Sequence, residues 1–540
     1  MTATADAPPR RDRNRRRERP GSGFLAVLGV QWRTGWAQPV AWVVSLLAGY
    51  FATVAAIDGA YGTPEQLATY EQTVASDPAM AAINGTPYGA GTLGGVVANE
   101  FGFIAAIAIP LMGLSLVVRH TRRSEEEGLL ELLRSRSVGA RAPWLAASLV
   151  AVVSLVIVGV GQAITLVAFD VPAGSALLYG ASIAALGAVF AGFAVFAGQL
   201  FRHASGVTSA GVVLLGSAYV TRAVGDVRDT GWEWLSPLAW QQETRPFTDE
   251  PRIWPLLLSV AVATVLFVAG SVLVGRRDLG AAVVPARPGP ARAARWQASR
   301  LALALRSHGP AGLAWIAGAW FVGFVFGAFT DDIAEAVLAN PELSAVLGTG
   351  GTDSLNGAYV AFTIVLVVLM ALGCLAQAVG RIRAVETGGL LEPILARSVS
   401  RVGWVLVEVA TATVAAMLVV LAGGAGVAMT AGDEVDGIPV ASFAYLPAVL
   451  VFAGFAVLLF GFAPRATGLV WAAFGWIAFV AVLGETVDLP DWAAGLSPVH
   501  AVGGVPVDEV SAGVELALLG VGLVLSAAGA FGFRRRDLPR

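Results

Sequence analysis

No lysine occurs in this chain of 540 residues; its 35 basic residues are all arginine. A phosphate-binding loop of the G-x-x-x-x-G-K-[ST] kind needs its lysine to reach the β- and γ-phosphates, so that site is excluded. ATP, if it drives this protein, must be bound by another polypeptide. Cysteine is nearly absent too: Cys374 stands alone in an apolar run, which excludes an intrachain disulfide and leaves it a packing role. The histidines, His120, His203, His308 and His500, lie far apart without ligand spacing, and no metal is expected. Charge is sparse as well, at 14% of residues against 56% hydrophobic, with a mean hydropathy of +0.71. A soluble protein of this length is excluded by that composition.

What is present is a membrane pattern. Apolar runs begin near Ala41, Phe101, Leu145, Ala176, Val207, Trp254, Ala311, Ala358, Val402, Ala441, Leu469 and Val514. Most reach the ~20 residues that carry a helix across the hydrocarbon. The expected fold is an all-α polytopic membrane protein of about twelve transmembrane helices.

The chain also repeats itself. Gly128-Leu129-Leu130-Glu131, followed by Arg136-Ser137-Val138, returns as Gly389-Leu390-Leu391-Glu392, followed by Arg397-Ser398-Val399, a shift of 389 − 128 = 261 residues. Leu235-Ser236-Pro237 returns as Leu496-Ser497-Pro498 at the same shift, and Arg277-Asp278-Leu279 as Arg536-Asp537-Leu538 at 536 − 277 = 259. Two parallel six-helix repeats are expected. The organisation read from this is an arm and interfacial elbow helix over 1–37 and a first half over 38–279. A linker with a second elbow helix over 280–310 and a second half over 311–540 follow.

Net charge is only −3, but arginines crowd the N-terminal arm, both repeat motifs, the central linker and the C-terminus. The alternate loops 58–100, 331–356, 431–440 and 485–509 contain no arginine, and the loop 222–252 is the exception that mixes both signs. By the positive-inside rule both termini, the linker and both motifs are cytoplasmic. The arginine-rich N-terminus lacks a cleavage pattern and reads as a retained cytoplasmic arm. Arginine placed by topology in this way gives no reason to expect a nucleic-acid partner.

The first motif reads Arg122-Arg123-Ser124-Glu125-Glu126-Glu127-Gly128-Leu129-Leu130-Glu131-Leu132-Leu133-Arg134. Ser124 is placed to cap a short helix whose first turn holds Glu125, Glu126 and Glu127, where the helix dipole favours carboxylates. Leu129 and Leu133 share a stripe at i, i+4, which outside the membrane wants a protein groove. In the second copy Glu386 stands for Glu125 and Glu392 for Glu131, while Pro393 replaces Leu132 and should shorten or bend the helix. A solvated loop that merely orients the helices would explain the charges but not the duplicated Gly-Leu-Leu-Glu.

Glu126-Glu127-Gly128-Leu129-Leu130-Glu131 with Arg136-Ser137 behind it resembles the coupling-helix region of type-two ABC exporter permeases. The duplicated six-span layout over nearly the whole chain resembles actinobacterial tetronasin or polyketide-antibiotic exporter permeases. The resemblance implies a separate ATP-binding-cassette subunit in two copies, one beneath each coupling helix, carrying the ATP and Mg. It also implies export of hydrophobic or amphiphilic drugs or antibiotics from a bacterial plasma membrane. The docking residues implied are Glu125, Glu126, Glu127, Gly128, Leu129, Leu130, Glu131 and Arg134, then Glu386, Gly389, Leu390, Leu391, Glu392 and Arg397.

Several further residues carry open alternatives. Segments Phe24 to Trp36 and Trp296 to Ser307 suit helices lying at the inner interface, or simple extensions of the following spans. Trp232 to Trp240 and Trp492 to Pro498 suit short helices dipping into the outer leaflet. There Trp234, Ser236, Pro237, Ser497 and Pro498 act as an external gate or as an aromatic anchor only. Glu408, a few residues inside an apolar run, either lines a translocation pathway or pairs with Arg381 or Arg401. Gln162 and Gln377 either line a cavity or bond between helices.

Three function classes remain. A transporter permease with no catalytic residue of its own, driven by a partner ATPase, fits the duplicated motif. A proton-coupled secondary drug transporter would want several intramembrane acids, of which Glu408 is the clear case. A membrane transferase would need convergent polar groups, and these are dispersed.

Overall fold

The computed structural model describes residues 23–74, 84–134, 138–228, 231–276, 278–283, 299–328, 351–396, 399–431, 435–483 and 490–536, with 292, 294 and 330 singly. Helices make up the regular structure, with no strand among the described residues. The chain divides into two units, 1–289 and 290–540.

In the first unit the elbow α1 (Phe24–Gly35) runs through Trp36 into α2 (Ala37–Ala60). Next come α3 (Gly102–Glu126), the short α4 (Leu129–Arg134), α5 (Ala142–Ala168), α6 (Ala173–Leu200), α7 (Ala204–Arg228) and α8 (Trp254–Val274). All but α1 and α4 are long and apolar enough to cross a membrane. In the second unit α9 (Arg300–Gly327), α10 (Gly351–Thr387), α12 (Arg401–Thr430), α13 (Ile438–Phe462) and α15 (Ala512–Arg535) meet the same standard, α10 over Leu355–Thr387. Between them lie the short α11 (Leu391–Leu395) and α14 (Leu469–Leu483). Among the described residues eleven helices thus have spanning length, in line with the expected count of about twelve. The expected run at Leu469 forms α14, whose 15 described residues rise roughly 22 Å against a hydrocarbon core of about 30 Å.

Glycine sets the crossings, because lipid offers no hydrophobic drive for helix association and close backbone approach must supply it. A Cβ on Gly159 of α5 would lie 2.2 Å from the Gly180 carbonyl oxygen of α6, and one on Gly323 of α9 would lie 2.0 Å from that of Gly423 in α12. Helices crossing at such points sit backbone to backbone.

The two elbows differ. α1 is a separate helix that buries Val27, Gln31 and Gly35, one stripe at i, i+4, i+8, against Val138, Ala142 and Ala146, and leaves Leu25, Trp32 and Trp36 exposed. Gln31 Nε2 donates to the carbonyls of His120 and Pro143, fixing α1 to the root of the first motif. Its expected counterpart is instead continuous with the next span, as α9 passes through Pro310 without a break.

Candidate functional site

Both motifs are built by the same turn. α3 leaves its apolar stretch through a wide π turn at Arg119–Arg123 and ends where Gly128 takes φ +75°, its N–H bonded to the Glu125 carbonyl at 3.1 Å. α10 ends where Gly389 takes φ +72°, with its N–H on the Glu386 carbonyl at 3.2 Å and the Leu390 N–H on Val385 at 3.1 Å. A left-handed residue is how helices commonly stop, and any residue with a Cβ resists it by about 1–2 kcal/mol. At neither glycine would a Cβ meet another atom of the described residues within 4 Å, so the left-handed backbone is what calls for them.

After the turn the leucines part company. Leu130 and Leu391, repeat counterparts, are buried at 3% and 2% exposure, Leu391 among Ile382, Trp404, Val405, Phe460 and Phe533. Leu129 and Leu390, the other counterparts, point outward at 47% and 62%. Glu131, Leu132, Glu392 and Pro393 are exposed beside them, and Leu133 is only half-buried. The outward apolar pair is therefore Leu129 and Leu132 rather than Leu129 and Leu133, because the buried Leu130 sets the rotation of α4. Each motif is a prong rooted by one leucine and presenting another.

Two carboxylates at the root, Glu125 and Glu386, turn inward. Glu125 pairs with Arg122 at 2.9 Å, both nearly inaccessible, and Glu386 pairs with Arg383 at 2.5 Å and with Arg536. Arg122 also donates to the carbonyls of Gly198, at the end of α6, and Ala281, beyond α8. Glu125 accepts from the Gly280 N–H at 2.8 Å. In the second unit Arg536, just past α15, donates to the Phe460 carbonyl near the end of α13. Each half thus ties its prong to the prong-side ends of its fourth and last long helices. The guanidinium comes from the prong in one half and from the chain after the last helix in the other. A buried arginine demands such a set of acceptors, since an unpaired charge in low dielectric is prohibitive.

The other motif residues are placed as follows. Ser124 does not cap a helix: the chain is already helical there, and its hydroxyl donates to the Arg119 carbonyl. Glu126 accepts from the Ala204 N–H and meets His203 Nδ1, both at 2.9 Å, so it holds the start of α7. Glu127 makes an exposed i, i+4 contact with Arg123. Arg134 closes α4, and Arg397, with the Arg136-Ser137 pair, lies outside the described residues.

Glu408 has a different partner from those the sequence offered. His308 Nε2 of α9 lies 2.7 Å from Glu408 Oε2 of α12, and both side chains are buried. Arg381 and Arg401 donate instead to the carbonyls of Ser307 and Arg536. The pairing escaped sequence reading because His308 lies 100 residues away and falls within the expected linker. Gln162 is fully buried with neither amide atom partnered among the described residues, whereas Gln377 is exposed and accepts from Trp315 Nε1 at 3.1 Å.

On the opposite ends of the bundles the Leu-Ser-Pro copies keep matching geometry. Leu235 and Leu496 are exposed, while Ser236, Pro237, Ser497 and Pro498 are buried. Ser236 Oγ accepts from the Leu238 N–H, capping the helix Pro237–Gln242, and donates to the Ala218 carbonyl of α7 at 2.6 Å. Ser497 Oγ accepts from the His500 N–H, and Trp234 stacks on Trp254 at 4.6 Å. The mixed-charge loop is explained here too. Arg245 and Arg252 both bond the buried Glu243, which also accepts from Tyr88 at 2.6 Å, and Arg222 faces Asp226. Burial, with Glu243 as acceptor, holds the Tyr88 hydroxyl proton well above the ordinary phenol range. These arginines are neutralised in place and carry no topological signal.

Duplicated multi-span halves, each carrying the same clamped prong, define a polytopic membrane protein of the permease class. Residues 298–534 match the family described as the C-terminal domain of multidrug efflux system permease Rv1217c. Across 535 residues the chain is 32% identical to the multidrug efflux system permease protein Rv1217c of Mycobacterium tuberculosis (strain ATCC 25618 / H37Rv), covering 96% of each chain. The chain belongs to this family of multidrug efflux permeases, and is a transporter rather than an enzyme.

Proposed function

We propose that this chain is the membrane subunit of a type-two ABC exporter, akin to the tetronasin and polyketide-antibiotic permeases, in a bacterial plasma membrane with both termini cytoplasmic. Two copies of a separate cassette subunit bind ATP and Mg and push on the two prongs, and the cargo is a hydrophobic or amphiphilic drug. One observation carries this reading: Gly128 and Gly389, Leu130 and Leu391, Glu125 and Glu386 repeat not only in sequence but in turn, burial and ion pairing. Mere orientation by charge needs none of that construction. The lysine-free sequence supports an external motor.

The buried His308–Glu408 pair favours a second reading, a proton-coupled carrier, since ionisable groups among apolar helices are the usual proton sites. Inverted vesicles holding the permease and its cassette partner separate the two. Drug uptake is expected to require ATP and to survive a protonophore. Uptake without nucleotide, abolished by the protonophore, would establish the second reading.

A further inference from the structure

On the end of the first unit away from its prong lies a small chamber with a polar wall. Asn84, Tyr88, Asn99, Arg222, Gln241 and Gln242 contribute to that wall. Its free volume is about 50 Å³, counted over the positions that the centre of a water can take. One water needs roughly 10–15 Å³ by that measure, so the chamber has room for a few waters and for nothing drug-sized.

Two glutamines make the chamber hydrophilic. The short helix Pro237–Gln242 carries both, Gln241 donating from Nε2 to Ser182 Oγ at 3.3 Å and Gln242 from Nε2 to Asp226 Oδ1 at 3.0 Å. Those bonds orient the amides and leave each carbonyl oxygen as an acceptor with no bond among the described residues. Both residues are half-buried, and neither oxygen is sealed from solvent, so a small donor reaches them. Apolar cavities stay dry, whereas a cavity that offers several polar groups holds ordered water. The second half is not built this way. At the repeat shift of 360 − 99 = 502 − 241 = 503 − 242 = 261, the counterparts of Asn99, Gln241 and Gln242 are Val360, Val502 and Gly503.

Tyr88 closes the chamber. Its hydroxyl donates to the buried Glu243 at 2.6 Å and accepts from Arg245 Nη2 at 2.8 Å, and the Arg245 guanidinium lies 4.0 Å from the centre of its ring. Arg245 takes φ +44°, a left-handed backbone that a residue with a Cβ adopts only when its surroundings impose it. The packing of this loop is therefore what keeps the guanidinium on the ring.

We infer that the chamber is a water-binding site of the first half, in which a few waters donate to Gln241 Oε1 and Gln242 Oε1. Tyr88 is its lid, which admits water and excludes larger molecules while its hydroxyl is held. The site needs neither the motor nor the membrane orientation of the proposed function.

The test uses the full-length permease in nanodiscs, where both faces meet solvent. Brief X-ray radiolysis oxidises side chains that lie beside bound water. Phe247, buried at 8% exposure and lining the chamber, is expected to be modified, and Phe190, at 0% in the same core, is not. That readout needs no variant. With Cys374 replaced by alanine, Ala98→Cys places a thiol in the chamber wall, on the helix Leu93–Glu100. Silver ion, close to water in size, is expected to block this thiol, whereas the larger 2-sulfonatoethyl methanethiosulfonate is not. Adding Tyr88→Phe removes two charge-assisted hydrogen bonds yet leaves Glu243 paired with Arg245 and Arg252, so the larger reagent should then react at least ~10-fold faster. Phe247 as inert as Phe190, or a thiol closed to silver, overturns the water site. Equal rates with the larger reagent before and after Tyr88→Phe overturn the lid.

Discussion

A permease carrying Leu129→Asp and Leu390→Asp together is expected to insert and fold normally yet lose ATP-driven drug efflux completely. Both leucines are exposed and root nothing, so their removal leaves the bundle intact. In a groove of the cassette subunit each would bury its side chain for about 1.5–3 kcal/mol, and an aspartate there would have to be desolvated instead. Losing both contacts at once removes affinity and force transmission together. Efflux of a fluorescent drug from cells, with surface expression measured in parallel, reads the outcome, and wild-type efflux at normal expression contradicts it. Either single variant should retain part of the activity, since the prongs are alike but Pro393 makes their tips differ.

Removing the carboxylate at the root of the second prong is expected to damage stability instead. Glu386 is the shared partner of Arg383 and Arg536, and Glu386→Ala leaves two guanidinium groups facing each other. Breaking a buried pair from one side costs about 3–5 kcal/mol, and partial exposure of both arginines places this case toward the lower end. A clear fall in the thermal unfolding midpoint of the purified permease is expected. In the first half Arg122→Met with Glu125→Met removes both charges together and should lower the midpoint less than Glu386→Ala, although the Gly198 and Ala281 carbonyls and the Gly280 N–H lose their side-chain partners. That double variant severs the prong from α6 and from the chain after α8, so efflux should fall by far more than the modest shift of the midpoint explains. Efflux at the wild-type level would mean that the clamp transmits nothing.

Much of this architecture was legible because lipid makes sequence speak plainly. Apolar runs of spanning length have almost one structural outcome, and a repeated Gly-Leu-Leu-Glu between such runs marks two copies of one device. Gly128 and Gly389 were readable as equivalent, though their left-handed turn was not. What stayed hidden depends on distance in the chain. Glu125 and Glu386 read as first-turn carboxylates, but they face inward because Gly280 and Arg536 arrive from beyond the last helix of each half. Glu408 was visible as a charge in an apolar helix, whereas His308 was hidden by an elbow that fuses with its span. Arg245 and Arg252 weakened the charge rule for one loop because sequence cannot show that Glu243 absorbs both.

Two matching prongs, proposed to face the cytoplasm and to receive a separate motor, are the centre of the proposed function. With Cys374 replaced by alanine, single cysteines at Leu132 and Pro393, both exposed, allow labelling by a membrane-impermeant maleimide. Both sites should react in inverted vesicles but not in intact cells, and both should be protected when the cassette subunit is added. Labelling of either site from outside intact cells, or reactivity unchanged by the cassette subunit, would contradict it.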